Sequence, residues 1–168
     1  MALEIEKILD GTGWQLLQEL QQNARLSYSE LGQRVGLSAP AVADRIHKME
    51  ETGLITGYRA EVDMSKLGLP VMALIRLGSV AGQSCNIVAQ RVSDIPEVLE
   101  CYRVTGSDSV VLKVVATSVA HLEQIIDQLT QYGLPTTSIV LSKPMQRPTI
   151  TRYIVELGEK AEDRPSNL

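Results

Sequence analysis

The chain has 168 residues, 44% of them hydrophobic and 21% charged, and its formal charge is −4 at neutral pH. This length allows one medium domain or two small ones, and the composition is that of an ordinary globular protein. No apolar run approaches the roughly 20 residues of a membrane-spanning helix. The first ten residues mix charged with apolar side chains and lack a signal-peptide core. We therefore expect a cytoplasmic protein that makes no contact with a membrane.

The chain has few residues suited to metal binding or nucleophilic catalysis. Its two cysteines, Cys85 and Cys101, have apolar neighbours, and with the only histidines, His47 and His121, they form no zinc-ligand spacing. No serine–histidine–aspartate or paired-carboxylate arrangement is evident. We expect two free thiols, no metal, no cofactor and no catalytic residue.

The first 55 residues or so have the periodicity of short helices. Thr12 is the expected cap of the first helix, whose apolar residues recur at helical spacing. A capping box at 27–30 begins the second helix, and Gly36 ends it. Ser38 caps the third helix, which ends at Gly53. Two short helices joined by a glycine-containing turn predict a helix-turn-helix.

The third helix of this motif is the one that would enter DNA. At 100° per residue, Val42, Ile46 and Met49 define its buried face. Recognition helices contact base edges mainly with their N-terminal residues, and those of this helix include no arginine or asparagine that could make two hydrogen bonds to one base. Ala41 can touch a thymine methyl and Asp44 can accept from cytosine. We expect weak direct readout, with DNA shape contributing much of the preference.

Affinity is expected to come from phosphates, because residues 25–48 hold four basic and two acidic side chains in an otherwise acidic chain. Two helix starts add backbone amides and hydroxyls where the helix dipole favours anions. An intramolecular pair of Arg45 with Glu30 or Asp44 is the alternative for that arginine, and a salt bridge or a solvated carboxylate is the alternative for Asp44. The expected DNA-binding residues are Ser27, Tyr28, Ser29, Arg34, Ser38, Ala39, Pro40, Ala41, Asp44, Arg45 and Lys48.

The pattern changes after the third helix. Residues 54–63 are β-prone and predict a ribbon or a crossing strand, and 64–70 has the turn residues of a domain junction. Residues 71–142 alternate strands and helices in the order βαββαβ, the ferredoxin-like motif. We also expect an edge strand at 149–155. The predicted division is a helix-turn-helix domain at 1–63, a ferredoxin-like domain at 64–155 and a mobile charged tail at 156–168.

One predicted strand has apolar residues on both faces. Residues 110–115 are apolar except for Lys113, whereas a strand of an antiparallel sheet with helices on one side should alternate apolar and polar residues. An uncovered apolar sheet face of this size is an interaction site. We predict a homodimer formed through the sheet. The alternative is a sheet covered by the N-terminal helices of the same chain.

Three stretches resemble one protein family. "LQQNARLSYSELGQRVGLSAPAVADRIHKMEETGLITGY" is similar to the N-terminal signature of the leucine-responsive / asparagine-synthetase (Lrp/AsnC, or feast/famine) regulators. "VLECYRVTGSDSVVLKV" and "YGLPTTSIVLS" are similar to two stretches of their ligand-sensing domain, and the resemblance runs from about Leu9 to Ile154.

The resemblance implies an α+β protein with a winged helix-turn-helix followed by a ferredoxin-like sensor domain. Members of the family bind double-stranded DNA, dimerise through the sensor sheet and often assemble to octamers. They regulate transcription in response to amino acids or related metabolites, without a cofactor, a metal or a catalytic activity.

A loop and a strand of the sensor domain are the expected ligand site. A turn at Gly106 brings backbone amides together for a carboxylate, Asp108 can take an amino group, and nearby hydroxyls can orient a small zwitterion. In the family this pocket lies between dimers. Ordinary hairpin and strand chemistry is the alternative for the serines and threonines. The expected ligand-binding residues are Gly106, Ser107, Asp108, Ser109, Thr136, Thr137 and Ser138.

Two other functions fit the same architecture. Siroheme decarboxylases resemble it, but they need cationic groups for the carboxylates of a tetrapyrrole, and this chain is acidic with only two histidines. A nucleoid-organising protein without a ligand would fit the weak base contacts. The "VTGSDS" loop favours ligand sensing over that alternative.

Overall fold

The computed structural model describes residues 2–78, 84–144 and 149–162. They form two compact units, one of the described residues up to Ala60 together with 149–162, the other of Glu61–Pro144. None of the described helices has the length and apolarity that crossing a bilayer requires. In chain order the elements are α1 (Ala2–Ile8), α2 (Gly11–Gln22), α3 (Tyr28–Val35), α4 (Ala39–Glu51), β1 (Val71–Gly78), α5 (Cys85–Val92), β2 (Val98–Arg103), β3 (Asp108–Ala116), α6 (Val119–Leu129), β4 (Leu134–Ile139) and α7 (Arg152–Glu162).

The first unit contains the helix-turn-helix, formed by α3 and α4 and packed on α2. The prediction for the buried face of α4 is confirmed, since Val42, Ile46 and Met49 are at most 1% exposed. They pack with leucines of α2 and α3 in one apolar cluster. This core leaves the opposite face of α4 in solvent.

Most of the helix ends follow the local signals in the sequence. The Ser27 hydroxyl accepts from the Glu30 amide at 3.2 Å, and the Glu30 carboxylate accepts from the Ser27 amide at 2.7 Å. Gly36 is left-handed at the end of α3, and Ser38 caps α4. The prediction that Thr12 caps the first helix is wrong. The cap of α2 is Asp10, because the helix already begins at Gly11.

The second unit is the predicted ferredoxin-like domain. Its antiparallel sheet has the strand order β2-β3-β1-β4, and α5 and α6 cover one face, called here the helix face. The opposite face is the outer face. Side chains of β1 alternate between them: Ala73, Ile75 and Leu77 are fully buried on the helix face, whereas Leu74 and Arg76 are exposed on the outer face.

Two expected strands are wrong. Residues 54–63 contain no strand, because an extended segment forms one only when a neighbouring backbone takes its hydrogen bonds, and the described chain places none beside it. At 149–155, α7 begins at Arg152 in place of an edge strand. The Gln21 side chain accepts a hydrogen bond from the Ile150 N–H at 2.8 Å and donates one to the Ile150 C=O at 3.0 Å. The expected tail is therefore helical up to Glu162, and 163–168 lie outside the described residues.

Gly32 allows the turn of the helix-turn-helix to close. A Cβ at Gly32 would stand 2.4 Å from the Leu37 carbonyl oxygen, and the Leu37 amide donates to the Gly32 carbonyl at 2.9 Å. The contacted oxygen belongs to the backbone, so it cannot move aside as a flexible side chain could. Only glycine fits here without shifting the turn.

We therefore expect Gly32→Ala to lower the free energy of unfolding by about 1–3 kcal/mol, the usual range for overpacking a core. Urea denaturation followed by circular dichroism measures this change. Gly11→Ala is the matched control, since a Cβ there meets nothing within 4 Å. Equal stabilities of the two variants would contradict the steric role of Gly32.

Candidate nucleic-acid interface and sensor site

The N-terminal end of α4 presents the predicted base-reading residues. Ser38, Pro40 and Asp44 are exposed, and Ala39 and Ala41 are half-buried. No long side chain projects from the first turn, and this agrees with weak direct readout. This end of the helix exposes small side chains and one carboxylate, that of Asp44.

Each of the three cations predicted to bind phosphate has a carboxylate partner within its own unit. Arg34 of α3 pairs with Glu19 of α2. Lys48 pairs with Asp44 one turn before it on α4, at 2.7 Å. Arg45 pairs with neither Glu30 nor Asp44, the partners considered from the sequence, but with Asp10.

Asp10 joins α2 and α4 through one carboxylate. Its Oδ1 accepts from the Gly13 amide at 2.7 Å and so caps α2. Both of its oxygens accept from Arg45, each at 2.8 Å, in the two-bonded geometry that makes arginine–carboxylate pairs strong. The Arg45 hydrogen bond first, and the Gly13 amide second, hold the pKa of Asp10 below its usual range. This pair ties α4 to the start of α2.

The other two pairs are looser. Single hydrogen bonds hold them, and the side chains of Arg34 and Lys48 are 50% and 54% exposed. Exposed ion pairs contribute little to stability, about 0–1 kcal/mol. The Arg34 and Lys48 side chains are therefore held less firmly than Arg45, which makes two hydrogen bonds to Asp10.

The start of α3 offers less to an anion than the sequence suggests. The Ser27 hydroxyl donates to the Glu30 carboxylate at 2.7 Å and accepts from the Glu30 amide, so both of its functions are used. The Ser27 backbone and side-chain hydrogen bonds lower the pKa of Glu30, which keeps a negative charge at this helix start. Tyr28 and Ser29 remain exposed there.

Lys7 and Arg25 are two basic residues that the sequence analysis did not include in the interface. Lys7 lies on α1, at an open cleft of about 730 Å³ that Asp44 and Lys48 also line. Arg25 is exposed in the loop before α3. Within the described chain neither side chain has a carboxylate partner. Arg25 could have been found from its place in the basic segment, but the position of Lys7 beside α4 required the packed structure.

The sensor loop connects β2 to β3 in the predicted hairpin. Gly106 has a φ of 114°, a backbone conformation that favours glycine. After it, β3 begins with a register shift: Leu77 of β1 pairs with Val110, and Gly78 pairs with Asp108. Ser109 stands at the irregularity and is 6% exposed.

The three hydroxyl residues of β4 do not share one face. Thr136 pairs with Arg76 of β1 and Ser138 pairs with Leu74, so both lie on the outer face. Thr137 pairs with Ile75 and points to the helix face, where it is half-buried. The fold brings Asp108, Thr136 and Ser138 to one face of the sheet and turns Thr137 away from it.

The described residues contain no cluster of three or more His, Cys, Asp or Glu side chains placed to hold a metal ion. Cys85 and Cys101 are free thiols, and burial raises the pKa of Cys101.

Comparison with known proteins identifies both halves of the chain. Residues 9–50 match the family model described as the AsnC-type helix-turn-helix domain, and residues 71–150 match the Lrp/AsnC ligand binding domain. The HTH-type transcriptional regulator YezC of Bacillus subtilis is 43% identical over 140 residues, which cover 83% of this chain and 99% of YezC.

Solved structures agree with these matches. LrpC of B. subtilis superposes with a TM-score of 0.77 at 30% identity, covering 83% of this chain and 99% of LrpC. The transcriptional regulator NMB0573 of Neisseria meningitidis, solved as a complex with L-Met, gives a TM-score of 0.79 at 27% identity and covers 87% of this chain and 99% of its own.

We expect Asp10→Asn to remove the Arg45 ion pair while retaining a side chain that can cap α2. The folded-state pKa of Asp10 is lowered, so the pair contributes stability above the unfolded pKa, about 3.9, and loses it as pH falls through the folded value. The difference in unfolding free energy between wild type and variant should be roughly 0.2–1 kcal/mol at pH 7 and vanish in acid. Denaturation at several pH values measures it; a difference independent of pH would contradict the assignment.

Proposed function

Since the chain belongs to the Lrp/AsnC family of transcriptional regulators, we propose that it binds DNA through α4 and changes its DNA binding or its assembly when an amino acid binds the sensor sheet. It is a ligand-responsive DNA-binding regulator, with a helix-turn-helix and a sensor domain in one chain. The observation that carries this function is the match of both halves, in order, to that family. Because DNA is the partner, we place the protein in the cytoplasm.

Individual residues of the DNA-binding unit have different proposed roles. Arg34 and Lys48 bind backbone phosphates after exchanging their loosely held carboxylates. Arg45 orients α4 through Asp10 and stays paired. Pro40 and Ala41 contact the major groove, where Ala41 favours a thymine methyl. Asp44, released by Lys48, is the one group able to accept a hydrogen bond from a cytosine amino group.

This arrangement supports modest affinity and a preference set largely by DNA shape. The base-reading end of α4 lacks a side chain for a two-bonded base contact, and each phosphate contact requires breaking an ion pair. Both effects limit the affinity of one copy. A dimer presenting two helix-turn-helix units overcomes this limit, because the second contact becomes intramolecular.

A catalytic role has no support from the relatives. The matching family models and the named relatives are transcriptional regulators. We therefore propose a regulator without enzymatic activity, in preference to a siroheme-decarboxylase-like enzyme.

We propose that the protein is a homodimer formed through the outer face of the sensor sheet, with higher assembly such as an octamer. Leu74 is 42% exposed there, and Met72 and Val111 are half-buried beside it. The helix face already has its core, so the outer face is where a second copy can bury apolar surface.

The dimer predicts a mass of at least twice 18.4 kDa at micromolar concentration. Size exclusion with light scattering measures it. Leu74→Lys should lower the mass by placing charges against each other across the interface, whereas Ile87→Lys, on an exposed position of α5, should leave it unchanged. A monomeric wild-type chain would rule out this assembly.

For DNA binding, we expect Arg34→Ala and Lys48→Ala to weaken binding to all sequences about equally. Each should reduce the magnitude of the slope of log affinity against log salt by about 0.9 for every copy of the chain that contacts the DNA, the effect of one lost phosphate contact per copy. Gel shifts on the gene's own upstream DNA and on an unrelated duplex measure both. Lys66→Ala, an exposed lysine of the other unit, is the control. A change in sequence preference without a change in slope would argue against phosphate contacts, and no shift by wild type at low salt would contradict the regulator itself.

A further inference from the structure

An open cleft lies between α1 and α4 in the DNA-binding unit. Its volume is about 730 Å³, within the range of ligand-sized clefts, about 300–1,000 Å³. The charged residues that line it are Lys7, Asp44, Arg45, Lys48 and Glu51. One wall is α1, which precedes the residues that match the helix-turn-helix family model. This wall is therefore a part of the chain to which the family match assigns no role.

The cleft opens on the side of α4 that is proposed to meet DNA. At 100° per residue, Asp44, Lys48 and Glu51 lie opposite the buried face of this helix, and all three are exposed. Pro40, one turn before Asp44, is exposed on the same side. A DNA backbone that runs alongside α4 would therefore pass the mouth of the cleft.

Lys7 is the cation of the cleft that is free to take an anion. Within the residues that the structure describes, it has no carboxylate partner, whereas Arg45 and Lys48 are both paired. Of the two acidic residues in the cleft, Asp44 holds Lys48, and the Glu51 carboxylate lies 3.2 Å from the imidazole one turn before it on α4. An exposed ammonium group without a partner is suited to a phosphate oxygen.

Packing fixes the end of α1 that carries Lys7. Ile8 and Leu9 pack against the apolar core of the helix-turn-helix. Gly13 of α2 allows this approach, because a Cβ there would overlap the Ile8 carbonyl oxygen. That oxygen belongs to the backbone, so α1 must shift if residue 13 has a side chain. Lys7 thus projects from a packed backbone, and ordering it on DNA costs side-chain entropy alone.

We propose that Lys7 binds a phosphate of the DNA backbone at the cleft between α1 and α4, beside the phosphate that Lys48 binds. The inference rests on the proposed function and deepens it by extending the DNA contact beyond the helix-turn-helix to α1. An ammonium group meets a phosphate as a point charge, so Lys7 adds affinity without adding base preference. Its contact forms without breaking an ion pair, unlike those of Arg34 and Lys48.

The first test measures gel shifts of the full chain at several salt concentrations, on the gene's own upstream DNA and on an unrelated duplex. On both, Lys7→Ala should reduce the magnitude of the slope of log affinity against log salt by about 0.9 for every copy that contacts DNA. Lys7→Arg should keep the wild-type slope. Lys66→Ala, which removes the same charge from the other unit, should keep it too. A wild-type slope in Lys7→Ala would overturn the proposal.

Ethylation of single phosphates locates the contact. Ethylation removes the charge of a phosphate, so it should weaken wild-type binding at each phosphate that the protein contacts. Lys7→Ala should become insensitive to ethylation at one phosphate per copy, and Lys48→Ala should remain sensitive there. The same pattern in Lys7→Ala and wild type would overturn the assignment even if the affinity of the variant fell.

Gly13→Ala tests the placement of Lys7 by α1. The added methyl should displace α1 and reduce the slope as Lys7→Ala does, and combining the two changes should reduce it no further. Gly11→Ala is the control, since a Cβ there meets nothing within 4 Å, and it should bind as wild type does. Circular dichroism checks that each variant is folded. A full additional reduction in the combined variant would contradict this placement.

The same gel shifts separate this inference from the proposed function on which it rests. If wild type shifts neither duplex at low salt, the proposed regulator itself fails. If wild type shifts both and Lys7→Ala has the wild-type slope, only the phosphate contact of Lys7 is wrong.

Discussion

The carboxylate of Asp10 is the contact on which the DNA-binding unit depends. It caps α2 and holds Arg45 of α4 with both oxygens, so the helix that meets DNA has its orientation set from its side. The buried residues of α4 determine which face is outward, but an apolar stripe permits some sliding and rotation. The two-bonded ion pair to a capped helix favours one position of α4.

The same balance of charge explains how an acidic chain can bind a polyanion. The described cations of α3 and α4 are neutralised by nearby carboxylates, which stabilise the free protein slightly and reduce unspecific attraction. In the proposed interface, a phosphate displaces a carboxylate when it binds Arg34 or Lys48. Because exposed pairs contribute little to stability, the proposed exchange costs little at Arg34 and Lys48, whereas Arg45 is held by two hydrogen bonds.

In the sensor unit, β1 is the strand that connects the other parts of the domain. It lies between β3 and β4, so its outward residues meet the sensor loop on one side and the hydroxyls of β4 on the other. Ala73, Ile75 and Leu77 are fully buried on its helix face, and Leu74 and Arg76 are exposed on its outer face. One strand therefore connects the domain core with the face where a ligand and a second copy are proposed to bind.

Features within one or two helical turns could be predicted from the sequence. The capping box of Ser27 and Glu30, the left-handed Gly36, the Ser38 cap and the buried face of α4 all depend on residues three to seven positions apart, whose geometry the helix itself imposes. The order βαββαβ followed in the same way from short stretches of periodicity. The cap of α2 is Asp10, two residues before the predicted Thr12, because the helix already begins at Gly11. The family signature added the pairing of the two domains, which no local pattern contains.

What the tertiary structure decided was the set of partners that are distant in the chain. Asp10 meets Arg45 across 35 residues and Gln21 holds Ile150 across 129, and neither contact follows from spacing. The register shift beside Gly78 brings Asp108 near Arg76, and alternation turns Thr137 away from Thr136. The sequence by itself determined the elements and their order, because backbone and neighbouring side chains settle those locally. Only the packed chain decided which charges are paired, which are left open and which face they share, because these depend on where separate elements come to lie.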